Sequence, residues 1–182
     1  MKKILLVLVS FWSSFIFSQE LKIEEPEFVG QIFYVDSNNK SFDLEFQTCA
    51  VKTGQSTGRL LTGIGKIKAR LIVKGKESST IIKKTESITF IYNNGDNLIV
   101  PTKVVRLLQF EVDGNNRQYI ISNVSNVSGQ STSMDLNYIK YQAKKFGNGS
   151  YLIVLNNLPV GEYAFFLGEK ASNDAYLFSV VE

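Results

Sequence analysis

The chain has 182 residues, with 20 Lys and Arg against 17 Asp and Glu, one cysteine and no histidine. Without histidine there is no Ser-His-Asp or Cys-His catalytic arrangement, no His-containing zinc site and no ordinary pH switch near neutrality. One cysteine excludes an internal disulfide and a thiolate metal site, which leaves carboxylate, Lys or Tyr chemistry as the enzymatic options.

Lys2 and Lys3 precede an apolar run from Ile4 to Phe17, broken only by Ser10, Ser13 and Ser14, and Ser18, Gln19 and Glu20 follow. A charged start, a short apolar core and a small residue at the exit predict a secretory signal peptide over 1–19, with a mature chain over 20–182. The run is shorter than the roughly 20 apolar residues of a membrane-spanning helix. The expected destination is the periplasm, the outer surface or the medium, with no integral membrane segment after cleavage. Cleavage removes Lys2 and Lys3, leaving 18 basic against 17 acidic residues, so the net charge of +3 falls to +1. A near-neutral surface lacks the clustered positive charge that nucleic acid requires. About 160 residues make one domain that buries roughly 68–70% of its unfolded surface without a staple.

Along the mature chain nearly every segment reads as strand. Pro26 sets an extended lead from Glu20 to Glu27, and Ser37 to Lys40 separates Tyr34 from Phe42. Phe42 to Gln47 alternates, which predicts a half-buried strand with Asp43 and Glu45 on its polar face. Cys49 ends that strand and is expected to be a small buried hydrophobe. The polar Thr53–Gly58 stretch is a loop. Lys66 to Leu71 alternates, and Val73 extends its apolar face. Ile88, Phe90 and Tyr92 share a face, as do Leu108, Phe110 and Val112, and Tyr119 and Ile121 follow. Asn94-Gly95, Asp113-Gly114 and Asn148-Gly149 tolerate the positive φ of tight turns. A single helical turn over Val104–Leu108 and a strand within Met134–Phe146 are weaker expectations, and Ser122–Ser133 reads as loop. Tyr151 to Leu155 is apolar throughout, as a strand covered on both faces would be. Tyr163–Leu167 and Tyr176–Val181 close the chain. Nine to eleven short strands with turns between them predict one antiparallel β-sandwich, Ig-like or jelly-roll-like.

No motif of catalysis or of cofactor or metal binding emerges. Thr62-Gly63-Ile64-Gly65-Lys66 resembles part of a phosphate loop, but Leu60 and Ile67 stand where Gly and Ser or Thr are required. It reads as a bend feeding a strand. Glu24, Glu25 and Glu27 read as a solvated lead; Asp135, Glu162 and Asp174 meet only if the fold brings them together. No EF-hand spacing exists. Asn39, Asn123, Asn126 and Asn148 lie in glycosylation sequons that matter only in a host that uses them. The 13 Phe and 8 Tyr suit strand packing, and an exposed aromatic platform for sugars or peptides is the alternative. The candidate binding residues are Lys66, Lys68, Arg70 and Lys74, which would line one face of a strand at about 6.5–7 Å spacing and offer positive charge to an acidic polymer.

Leu61-Thr62-Gly63-Ile64-Gly65-Lys66 with Arg70, Ile88 to Ile91 with Pro101, Phe110 and Arg117, Ala143 to Gly147 with Ser150-Tyr151, and Leu158-Pro159-Val160-Gly161-Glu162-Tyr163 resemble elements of uncharacterised exported all-β proteins from Gram-negative bacteria. The resemblance implies export and a β-fold and carries no activity. The functional expectation is an exported binding module for an envelope protein, a glycan or an acidic surface polymer. A hydrolase using carboxylates or Lys, or a structural envelope subunit, is the alternative.

Overall fold

The computed structural model describes residues 23–55, 66–125, 136–170 and 172–182, and for residues 53–55, 66–68 and 121–125 the backbone alone. The predicted leader and residues 62–65 and 126–133 lie outside these stretches. The described strands are β1 (Ile32–Val35), β2 (Ser41–Asp43), β3 (Glu45–Thr48), β4 (Ala50–Gln55), β5 (Lys66–Lys74), β6 (Ile81–Lys83), β7 (Ser87–Asn93), β8 (Val105–Asp113), β9 (Asn116–Ser125), β10 (Gln142–Phe146), β11 (Ser150–Asn156), β12 (Gly161–Leu167) and β13 (Asp174–Val181). One helical turn, α1 (Pro101–Val104), precedes β8. Five strands form one sheet in the order β10-β11-β7-β1-β2. The other runs β3-β13-β12-β8-β9-β5-β4, with β6 also on β13. The pairing is antiparallel except between β6 and β13. The expected all-β sandwich is what the chain forms.

The larger sheet curls back on itself. β3 pairs with β13 and β4 pairs with β5, yet only Cys49 separates β3 from β4 along the chain. This stretch therefore joins the two ends of the sheet into a small barrel of β3/β4, β5, β9, β8, β12 and β13. The Gln47 side chain ties β3 to the end of β5: its Oε1 accepts Lys74 N at 3.0 Å and its Nε2 donates to Lys74 O at 3.1 Å.

β8, β12 and β13 form a wall between two cores. Their alternate residues Val105, Leu107, Tyr163, Phe165, Phe178 and Val180 face the five-stranded sheet, where Ile32, Phe90, Tyr92, Tyr151 and Ile153 meet them. The intervening Leu108, Phe110, Ala164, Phe166, Ala175 and Leu177 fill the barrel with Cys49, Leu71 and Val73. Burial on both faces accounts for the near-continuous apolar sequence of β12 and β13. Each fully buried aromatic contributes about 1.5–3 kcal/mol of transfer free energy. On the outer face of the five-stranded sheet, Ile23 of the N-terminal lead packs with Val35, Ile91 and Phe146.

The structure departs from the sequence expectations at identifiable places. Among the described residues thirteen strands replace nine to eleven: Phe42–Gln47 breaks at the buried Leu44, where the chain leaves the five-stranded sheet for the barrel, Ile81–Lys83 adds a short strand, and strands Ala50–Gln55 and Asn116–Ser125 run into the stretches expected as loops from Thr53 and Ser122. Beyond that corner the alternation changes meaning. Phe46 is 55% exposed and packs outside on Tyr176, whereas Glu45 takes part in the partly buried network described below. Asn94-Gly95 makes no tight hairpin, since both edges of β7 are already paired, with β1 and β11, and the chain must leave the sheet. Asp113-Gly114 does open a tight β8–β9 turn, and Gly147-Asn148-Gly149 links β10 to β11. The helical turn falls at Pro101–Val104, where proline suits a helix start, and Val105–Leu108 is strand. Within the expected Met134–Phe146 segment, Gln142–Phe146 is strand and the described residues 136–141 are not.

Candidate functional site

The basic line lies on β5. The backbones of Lys66 and Lys68 pair with Ser125 and Asn123 of β9, and their side chains are outside the described set. Arg70 Nη1 donates to Gln118 Oε1 at 3.0 Å and lies 3.9 Å from Asp113 Oδ2, so neighbouring groups already engage its charge. Lys74 is exposed beyond Ile72, at the strand end. The two described members of the line thus sit four residues apart, one of them engaged.

Two carboxylates do converge, at one end of the barrel. Arg117 of β9 points inward with its side chain 0% exposed. Its guanidinium donates to Glu45 Oε1 at 2.9 Å, Glu162 Oε2 at 3.2 Å, Lys74 O at 3.0 Å and Gly75 O at 3.2 Å. Glu162 Oε2 also accepts Ser78 N at 3.1 Å and Ser179 Oγ at 2.8 Å. Glu45 accepts Ser78 Oγ and Ser79 N, both at 2.6 Å, and Gln47 Nε2. Burial alone would push the Glu45 carboxyl up, but the bonds from Ser78, Gln47, Ser79 and Arg117 together hold it below its ordinary value. Buried charges persist only when paired and bonded in this way. Carboxylates fastened by so many donors form a plug, a structural use of the residues a glycosidase would need free in a cleft.

The third arrangement is an open groove of about 920 Å³ where the sandwich parts. Tyr34, Asp36, Phe42 and Asp43 line one wall; Ile81, Lys83 and the Thr85–Ser87 turn line the other. It exists because β2 leaves the five-stranded sheet to become β3. Thr80 closes one end: its Oγ1 accepts Glu45 N at 2.8 Å and donates to Asp43 O at 3.4 Å. Both walls are sheet edges. On β6, Thr80 O accepts Ser179 N and Lys84 N donates to Val181 O, so the backbones of Thr80, Ile82 and Lys84 face β13. Alternation then directs the N–H and C=O of Ile81 and Lys83 into the groove. On β2, Lys40 O accepts Asp36 N. The same alternation turns Ser41 and Asp43 away from β1, as the Thr80–Asp43 bond requires.

Aromatic rings are part of the groove; Tyr34 is half-buried and Phe42 is 39% exposed. Phe42 has Tyr34 stacked on it at 6.1 Å and Lys40 Nζ 5.0 Å from its ring centroid. Tyr34 in turn meets Phe90 at 5.9 Å, so the rings run from the rim into the core. Burial, and secondarily the Asp36 charge, push the Tyr34 hydroxyl above its ordinary value. Asp36 Oδ1 accepts Asn38 N at 2.9 Å and Lys40 N at 2.8 Å, shaping the β1–β2 turn in which Asn39 takes φ 61°.

Among the described residues no group of three or more Cys, Asp or Glu is placed to hold a metal ion, and no helix is long and apolar enough to cross a membrane. Comparison with known proteins finds no matching family model, curated protein or solved structure. The sequence reading missed both the plug and the groove. Arg117 carried a usable signal, since it stands two residues before Tyr119 on the inward phase of its strand. The groove carried none, because two edges from distant parts of the chain create it.

Proposed function

We propose that this chain is an exported binding module, acting in the periplasm, at the outer surface or in the medium, and that the groove between β2 and β6 is its site. The observation that carries the reading is the pair of sheet edges facing one another across that groove, unpaired among the described residues apart from the Thr80–Asp43 bond at one end. Natural sheets guard such edges, and the edge strand β10 fits the rule, with exposed Lys144 and Lys145. β6 is short and carries exposed Lys83, yet leaves Ile81 54% exposed beside the groove. The charged leader supports export, and the engagement of both Glu45 oxygens and of Glu162 Oε2 by fixed donors supports binding over carboxylate hydrolysis. The test uses the mature chain, immobilised and exposed to envelope fractions and to a panel of peptides and oligosaccharides. Glu86→Arg with Ser87→Arg, both at exposed positions, should abolish specific capture by obstructing the groove. Lys66→Gln/Lys68→Gln/Arg70→Gln should leave it unchanged. The reverse pattern, with both variants folded, would move the site to the basic face of β5.

A further inference from the structure

Building on the groove as the binding site, we infer that its occupant is an extended, basic segment of a partner protein, which adds to β6 as a further strand. Three observations select this ligand. First, the groove offers backbone: the N–H and C=O of Ile81 and Lys83 point into it, and a strand is the ligand that pairs with such a row. Second, its charge is negative on balance, with Asp36, Asp43 and Glu86 against Lys83 among the lining residues and Lys40 at the rim, over the Phe42 ring. Asp36 and Asp43 commit Oδ1 to local bonds, with Asn38 and Lys40 and with Gln31, and no protein bond to either Oδ2 is seen among the described residues. Opposite charge across an interface steers the encounter and excludes acidic competitors. Third, the rings a sugar would stack on are partly engaged, Phe42 by Tyr34 and Lys40 although it stays 39% exposed, and Tyr34 by Phe42 and Phe90. Recognition by backbone pairing and charge therefore fits the walls better than recognition by ring stacking.

Each added residue alternates its side chains between the two faces, so every second side chain of the segment meets the same set of groove groups. Alternating Lys and Val thus makes a suitable probe. The experiment titrates the mature chain with a capped Lys-Val-Lys-Val-Lys-Val-Lys peptide, its Glu-for-Lys counterpart, and a version N-methylated on alternate amides in either phase. Binding is read by calorimetry and by amide chemical shifts. The basic peptide should bind and shift the Ile81 and Lys83 amides. One N-methylated phase and the acidic peptide should each bind at least about tenfold more weakly. Raising ionic strength from 0.02 to 0.3 M should weaken binding severalfold, because exposed charges are screened within about 6–20 Å over that range. Ile81→Pro removes a donor that faces the groove and spares the ladder to β13, so it should reproduce the N-methylation loss with the fold intact. Equal binding of both N-methylated phases would overturn strand addition even if charge mattered. If instead a neutral oligosaccharide shifts Phe42, Thr85 and Ser87 while the peptides do not, the groove remains a binding site and the strand inference falls. If neither class perturbs the groove, both readings fall.

Discussion

Replacing Arg117 with Met tests whether the barrel is closed by its charged plug. The side chain is fully buried and makes four hydrogen bonds, two to carboxylates and two to the carbonyls of Lys74 and Gly75. Met fills a similar volume but leaves Glu45 and Glu162 near one another with neutral donors only. Removing one partner of a buried pair costs about 3–5 kcal/mol, a third or more of the stability of many domains. For a domain of this size that corresponds to a Tm lower by about 6–20 °C. Adding Glu45→Gln and Glu162→Gln removes the uncompensated charges and should recover more than half of the loss. The pH dependence follows from the same bonds. In the wild-type protein the Glu45 carboxyl titrates below its ordinary value of 4.5. Its stabilisation is therefore present above about pH 4.5 and is lost as pH falls through the lower folded value. In Arg117→Met one of the bonds that lower the Glu45 carboxyl is gone, while those from Ser78, Gln47 and Ser79 remain, so protonation sets in at higher pH than in the wild type and the gap narrows as pH falls. Urea denaturation at pH 7 and pH 4 measures both effects. A loss under about 1 kcal/mol at pH 7, or an equal gap at the two pH values, would refute the plug.

Other consequences are open to simpler measurements. Cys49 is 4% exposed, and burial, reinforced by the Asp174 charge and partly offset by Arg117, pushes its thiol up to about 11. At pH 8 about one thiol in a thousand is then ionised, so a disulfide reagent should label the native protein orders of magnitude more slowly than the urea-unfolded chain. Glu25 ties the N-terminal lead to the β10–β11 turn through Asn148 N at 2.6 Å, Gly149 N at 3.1 Å and Ser150 Oγ at 2.6 Å. Glu25→Ala should speed hydrogen exchange at the Asn148 and Gly149 amides about tenfold or more, and unchanged exchange would show that the lead is not fastened there. A methyl group at Gly147, where φ is 55°, would lie 1.8 Å from Glu25 Oε1. Gly147→Ala should therefore cost about 1–2 kcal/mol, and less in a Glu25→Ala background where only the backbone strain remains. N-terminal sequencing of exported protein should find Gln19 or Glu20 first, and an intact Met1 would sink the signal-peptide reading.

Much of the architecture was legible in the sequence because strand formation is written locally. Period-two alternation, β-branched and aromatic residues, and turn pairs such as Asp113-Gly114 act over a few residues, and neighbouring backbone geometry reads them directly. The unbroken apolar run from Tyr151 to Leu155 announced burial on both faces, and the lone Cys49 fell in the core as its type suggests. The leader and the missing histidines were likewise matters of composition, from which export was expected and whole classes of catalysis were excluded.

What tertiary structure alone decided is which face of each strand meets what. Alternation states that two faces differ but does not say which is inside, once a strand changes sheets. Leu44 is that corner, and past it the aromatic Phe46 lies outside while the charged Glu45 joins the plug. Glu45, Arg117 and Glu162 are brought together by barrel closure, across 72 and 45 residues of chain. The groove arises in the same way, from the parting of β2 and β6. No local pattern encodes these meetings, because contacts between distant segments depend on sheet order and closure, and single-strand periodicity is silent on both.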